Sequence, residues 1–334
     1  LSLAGGFQPG YAADHVTVQQ APPVAVSAAA TTTLPQQLFM PSVDVRHTDL
    51  LVGREPELAA LRGCLHEAQA GHGTMVVLEG EAGVGKTRLA VGVLQEAADS
   101  GLSVISATCQ AIEKNLPFAP LADVLGRYLH RVPTEALHLL PTASLVQMAQ
   151  IVPSLYDRIP GLPQPSAETV PAPEDNRLRL IDGIVTFLAT LARLRPLALF
   201  LDDLHWADAD TLSVVSRLVQ RLGELPLFLL LAYRSDDLPE NEALATLLHA
   251  IRRQGFGQRL EVNRFDKTQV QIYVDLLMGR ENVFDGELAR LLYNLTQGNP
   301  LFVAEMVRDL QERHPLPGQP ADNEQPSGSG LTRV

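Results

Sequence analysis

GEAGVGKT, residues 80–87, is the stretch that decides the fold. It satisfies G-x-x-x-x-G-K-[ST], the pattern of a loop that cradles phosphates. Such a loop needs a strand before it and a helix after it. TMVVLE, residues 74–79, is an apolar run of strand length, and TRLAVGVLQEAA, starting at Thr87, reads as a helix. Gly80, Gly83 and Gly85 let the backbone fold tightly, so that successive N–H groups point at one centre. The following helix adds its positive N-terminal end. Lys86 supplies a point charge between the β- and γ-phosphates, and Thr87 offers a hydroxyl to Mg²⁺. Kinases, motors, GTPases and switches all carry this loop, so the rest of the chain must separate them.

Working outward, LALFLDD, residues 197–203, reads as a buried strand that delivers Asp202 and Asp203 to the carboxyl edge of a parallel sheet. Ligands of open α/β folds bind at that edge. Asp202 fits an outer partner of Mg²⁺, reached through water. Asp203 is placed to orient or deprotonate an attacking water. The plainer account is that paired acids cap the next helix, but Asp208 and Asp210 are better placed for that. A second acid favours nucleotide hydrolysis over phosphoryl transfer to a small molecule. Arg234 ends the next apolar run, LFLLLAY, where a cation could meet the γ-phosphate. Pairing with Asp236 or Asp237 is the competing account. His205 reads as a packing or hydrogen-bonding residue, with no proton-transfer role.

The flanks bound the folded part. Residues 1–46 are Ala-, Thr-, Pro-, Val- and Gln-rich without a sustained period, and read as a linker or the tail of a preceding domain. Residues 314–334, with their Pro, Gly and Ser, read as a linker to a further domain outside this chain. Between them, residues 47–240 form the expected core, and 241–313 a last strand and three lid helices. PSLYDRIPGLPQPSAETVPAP, residues 153–173, reads as an exposed loop.

The chain carries 26 Lys and Arg against 38 Asp and Glu, a net charge of −12. That balance disfavours direct nucleic-acid binding, which needs clustered cations. No apolar run approaches the ~20 residues of a membrane helix, so no membrane partner is expected. Cys64 and Cys109 are far apart and in no metal-ligand spacing, which suggests buried thiols in the reducing cytoplasm.

Three further stretches carry a resemblance: LVGREPEL (residues 51–58), LFLDDLHWADADTL (199–212) and LTQGNPLFVAEMV (295–307). With the loop, and in this order, they resemble the STAND class of signalling ATPases, an AAA-type, Orc1-like branch of the P-loop NTPases. Its modules occur in large ATP-binding LuxR-type regulators and related multidomain signalling proteins. The similarity runs from about Asp49 to Arg313. It implies an α/β fold of the ASCE, AAA-like P-loop NTPase kind: a three-layer parallel sheet followed by a small helical lid subdomain.

The resemblance also implies site roles. Val52, Gly53 and Arg54 match the segment near the adenine, and Pro300 matches the lid proline that contacts the nucleotide. Loop residues Glu81, Ala82 and Val84, with Arg88 after them, join the glycines as nucleotide-binding positions. Lys86, Thr87, Asp202 and Asp203 match the phosphate and Mg²⁺ positions, and Arg234 the sensor arginine. Cofactors are then ATP or ADP with Mg²⁺. The partners are an unknown inducer or partner protein, a fused output domain, and copies of itself in ATP-dependent association. Two features depart from the pattern. No arginine finger stands out, and the lid arginine is unplaced, with Arg290 and Arg308 as candidates. Both fit slow turnover. The expected activity is ATP binding and slow hydrolysis in a regulatory switch. The alternatives are a non-catalytic scaffold stabilised by nucleotide, a phosphotransferase, and a DNA-binding module.

Overall fold

The computed structural model describes residues 51–138, 140–164, 172–255, 257–279 and 286–313. The expected flanking segments, 1–46 and 314–334, lie outside the described residues. Those described all belong to one compact unit, Thr33–Val334.

Five strands form a single parallel sheet: β1 (Thr74–Gly80), β2 (Ser103–Thr108), β3 (Leu197–Asp202), β4 (Leu227–Arg234) and β5 (Gln258–Glu261), in the order β2-β3-β4-β1-β5. The strands β1, β3 and β4 are near-continuous apolar runs because both faces of the sheet are covered. Helices α1 (Glu55–Gln69) and α2 (Lys86–Asp99) pack Leu61, Leu65, Leu89 and Leu94 on Val76, Leu78, Phe200 and Leu230. The opposite face carries α3 (Ala119–Arg131), α4 (Thr134–Leu137), α5 (Thr142–Ile151), α6 (Leu155–Arg158), α7 (Pro173–Leu194), α8 (Ala209–Gln220) and α9 (Glu242–Gln254). They enclose Val77, Leu199, Leu201, Leu229 and Leu231 in the larger core. Three layers result, the α/β arrangement the sequence predicts.

The proline-rich stretch differs in part from the expected exposed loop. Its first half folds back, with Leu155, Ile159 and Leu162 buried in the larger core. Apolar residues four and three apart gave this segment a face that the prolines obscured. Residues 165–171 lie outside the described ones.

Asp208 caps α8, as its position suggested. Its Oδ1 accepts the N–H groups of Asp210 (2.9 Å) and Thr211 (3.0 Å), and also that of Phe118 (3.1 Å) across 90 residues. Asp210 instead pairs with Arg177. Phe118 sits at φ +59°, a conformation rare for a side chain of this size, and the Asp208 bond helps hold it there. Asp208→Ala is expected to cost about 2 kcal/mol, from one lost cap and one stranded buried N–H. Thermal unfolding followed by circular dichroism would register a midpoint lower by about 5 °C.

The last three helices, α10 (Lys267–Met278), α11 (Glu287–Thr296) and α12 (Pro300–Arg313), build a separate small core. Asp266 and Gln269 cap α10 reciprocally, and α12 opens on a proline, where no N–H is needed. Val52, from ahead of α1, is buried in that same small core beside Phe265 and Val270.

Candidate functional site

The site grows from the register of the sheet. Gly80 lies opposite Arg234, so the loop leaving β1 and the cation ending β4 emerge side by side. The end of β3 follows beyond β4 and brings Asp202 and Asp203. Thr87, in the first turn of α2, donates from Oγ1 to Asp202 Oδ2 at 2.6 Å. The Asp203 N–H donates to the other oxygen of Asp202 at 2.9 Å. Asp202 is buried, which pushes its carboxyl above the usual carboxylate range; the Thr87 hydroxyl opposes that shift. A divalent cation would reverse it by favouring the charged form.

Asp203 adopts φ +50°, the left-handed region that Asp tolerates better than most side chains. The Trp206 N–H donates to its carbonyl at 2.9 Å, fixing the turn that aims its carboxylate at the sheet edge. Arg234 Nε lies 3.4 Å from Asp203 Oδ1, and not in the pairing with Asp236 or Asp237 of the competing account. His205 is buried next to this pair. Its Nε2 lies 3.3 Å from Asp237 Oδ2 and 3.9 Å from Asp203 Oδ1. Burial lowers its pKa, and the Asp203 charge partly restores it. The ring is a structural neighbour of the acids, in agreement with a packing role.

Every carbonyl from Gly80 to Val84 is engaged. Lys86 Nζ donates to the carbonyls of Gly80 and Glu81, each at 2.8 Å. Asn299 Nδ2 donates to Ala82 O at 2.9 Å, the Leu301 N–H to Gly83 O at 3.2 Å, and Arg54 Nη2 to Val84 O at 3.1 Å. In a trans peptide each carbonyl points away from the following N–H. The N–H groups of Gly83, Val84 and Gly85 therefore face away from Asn299, Leu301 and Arg54. Those of Gly83 and Gly85 meet no protein acceptor among the described residues. Burial lowers the Lys86 pKa, while Asp203 and Asp202 raise it. Outward-tied carbonyls, free N–H groups and a buried ammonium suit a polyphosphate. The Thr87–Asp202 pair suits Mg²⁺, a hard cation that takes oxygen ligands.

Val52, Arg54, Gly85, Arg88 and Pro300 line one cleft between loop and lid, together with Phe265 and Tyr273. Its volume is about 30 Å³. That holds about one water, so an adenine-sized ring enters only if these walls move. Arg54 is 5% exposed, lies 5.1 Å from the Phe265 ring centre and also donates to Asn263 O at 2.6 Å. It therefore works as a strap from α1 to the lid hinge. Gly53 and Glu81 are set apart from this cleft. The Gly53 carbonyl accepts from Gln269 Nε2, and Glu81 pairs with Arg264. A larger cavity of about 490 Å³ flanks the loop on the β5 side, lined by Gly80, Glu81, Ser235, Asp236 and Arg264 among others. Arg290 and Arg308 are both exposed on the lid.

Sequence reasoning missed Asn299, Asn263, Gln269 and Arg264. The first was within reach, since it lies between Gly298 and Pro300 in a stretch already singled out. Asn263 offers its own backbone carbonyl to Arg54, Gln269 donates to the Gly53 carbonyl and Arg264 pairs with a loop side chain, all across distant parts of the chain, and no spacing signals that.

A 131-residue segment is 26% identical to the peroxide stress-activated histidine kinase mak2 of Schizosaccharomyces pombe, covering 39% of this chain and 6% of that protein. The chain thus spans only a small part of this curated relative. Among solved structures, an ORC1 protein of Aeropyrum pernix, solved in complex with DNA, is 19% identical, with a TM-score of 0.47 over 79% of this chain and 62% of that one. Cdc6p of Pyrobaculum aerophilum is 16% identical, with a TM-score of 0.48 over 82% and 63%. A STAND protein of Pyrococcus horikoshii with a tetratricopeptide-repeat sensor is 16% identical, with a TM-score of 0.39 over 78% and 32%. Residues 50–231, more than half of the chain, match the AAA ATPase domain family, and the chain belongs to that family.

Proposed function

We propose that this chain is an ATP-binding, slowly hydrolysing switch module of a larger signalling or transcription-regulatory protein. The observation that carries the reading is the convergence of Lys86, the Thr87–Asp202 pair and Asp203 at one sheet edge, under a lid that touches the loop. In this reading Lys86 leaves its two carbonyls to hold the β- and γ-phosphates. Thr87 and Asp202 hold Mg²⁺, which neutralises phosphate charge when bound. Asp203 orients a water and takes its proton, and Arg234 steadies that carboxylate. Val52, Arg54, Arg88 and Pro300 would embrace the base once the cleft widens. The γ-phosphate would then bias two arrangements of lid and core, through contacts that differ between them.

The two candidates for a lid arginine, Arg290 and Arg308, are exposed, and Arg264, which does reach the loop, is paired with Glu81; this supports low turnover. The net charge of −12 supports a partner other than nucleic acid. Inducer binding, ATP-dependent self-association, a fused output domain and a cytoplasmic location complete the proposal. Among the described residues no helix is long and apolar enough to cross a membrane.

The test is direct. Purified protein with Mg²⁺ should bind ATP and release ADP and inorganic phosphate slowly. Folded wild-type protein that binds no ATP overturns the reading. Tight nucleotide retention with turnover equal to buffer would favour the non-catalytic scaffold.

A further inference from the structure

Two of the three outward ties on the loop come from the lid, and both converge on Asn299. This side chain is 3% exposed. Its Nδ2 donates to Ala82 O, and its Oδ1 accepts the Leu301 N–H at 3.1 Å. The same Leu301 N–H reaches Gly83 O. One amide therefore joins the first turn of α12 to two consecutive loop peptides. The fit is tight from the loop side as well. A Cβ on Gly83 would fall 2.8 Å from Asn299 Oδ1 and 2.9 Å from Leu301 Cβ. Behind Asn299 the turn is held within the lid itself, since the Phe265 N–H donates to Gly298 O at 2.8 Å.

We propose that Asn299 is a positioning residue that couples lid docking to phosphate affinity. It touches no phosphate position itself. By holding the Ala82 carbonyl outward it turns the Gly83 N–H toward the side where phosphate would lie. Orienting that peptide is thus done partly by the lid. An undocked lid leaves the loop free to rotate it, and affinity falls by the population so lost. The affinity part of this inference rests on the nucleotide-binding reading; the lid-to-loop tie does not.

Asn299→Asp is the informative variant. It keeps the acceptor for Leu301, loses the donor to Ala82 and sets a carboxylate against a carbonyl. ATP affinity should weaken about tenfold, and adenosine affinity by less than about twofold, because only phosphate feels the loop. Equal loss for both ligands would mean a merely structural role and overturn the proposal. A second measurement needs no ligand. Spin labels at Asp99→Cys on α2 and Arg308→Cys on α12, both exposed, report the distance between core and lid. Asn299→Asp should broaden that distribution and add a longer component. Gly83→Ala should do the same from the loop side with the lid sequence intact, should Asn299→Asp fold poorly. A distribution unchanged from wild type in the folded variant overturns the tie. If wild-type protein binds no ATP, the nucleotide reading fails, and the label distances still decide the role of Asn299.

Discussion

Lys86→Ala should lower Mg-ATP affinity by about a hundredfold, roughly 3 kcal/mol. The ammonium is buried, which lowers its pKa, while the charges of Asp203 and Asp202 act to raise it. Its present acceptors are two neutral carbonyls, Gly80 O and Glu81 O, at 2.8 Å. Exchanging them for phosphate oxygens sets the ammonium against anionic acceptors in place of neutral ones, which strengthens each bond. Alanine removes that gain and leaves the Asp202–Asp203 pair facing the phosphates with one cation fewer beside Arg234. The fold should survive, because Gly80 O retains the Ser235 N–H and no other side chain relies on Lys86. Titration with a fluorescent ATP analogue and a far-ultraviolet spectrum would separate lost binding from lost structure. Affinity within about threefold of wild type would exclude this lysine from phosphate binding.

The second large effect is expected at Asp203→Asn, where hydrolysis should fall about 10²- to 10³-fold with ATP affinity held within about threefold. The amide preserves the size of the side chain and can still hydrogen-bond, but it cannot take a proton from water. Asp202, with Thr87 on one oxygen and the Asp203 N–H on the other, is already committed. It therefore cannot substitute. Phosphate release under single-turnover conditions, beside equilibrium binding, measures the two quantities separately. Equal loss of both would move Asp203 from chemistry to ligand binding.

Much of this arrangement was legible in the residues. The strands β1, β3 and β4 follow from apolar runs of strand length ending at Gly80, Asp202 and Arg234, and a parallel sheet follows from helices between strands. Lys86, Thr87, Asp202 and Asp203 meet as expected because each ends or begins an element whose type was clear. The failures have two physical origins. Arg54 was expected beside the adenine and does line the cleft, yet its hydrogen bonds go to Val84 O and Asn263 O, 30 and 209 residues further along the chain. Backbone carbonyls carry no letter in the sequence, so a side chain that serves them gives no pattern. The same holds for Asn299. The buried half of the proline-rich stretch was hidden differently, by turn-forming residues that outweighed three spaced apolar ones.

Val52 and Arg54 have one more consequence. They precede the whole sheet in the chain, yet Val52 completes the apolar cluster of α10, α11 and α12, and Arg54 stacks on Phe265 at its entrance. The final three helices are therefore a discontinuous unit whose first piece is supplied some 200 residues earlier. A fragment beginning at residue 241 would lack that piece and expose the gap it fills. Anyone trimming or grafting this region should treat residues 51–54 and 263–313 as inherited together, whatever cut the linear order invites.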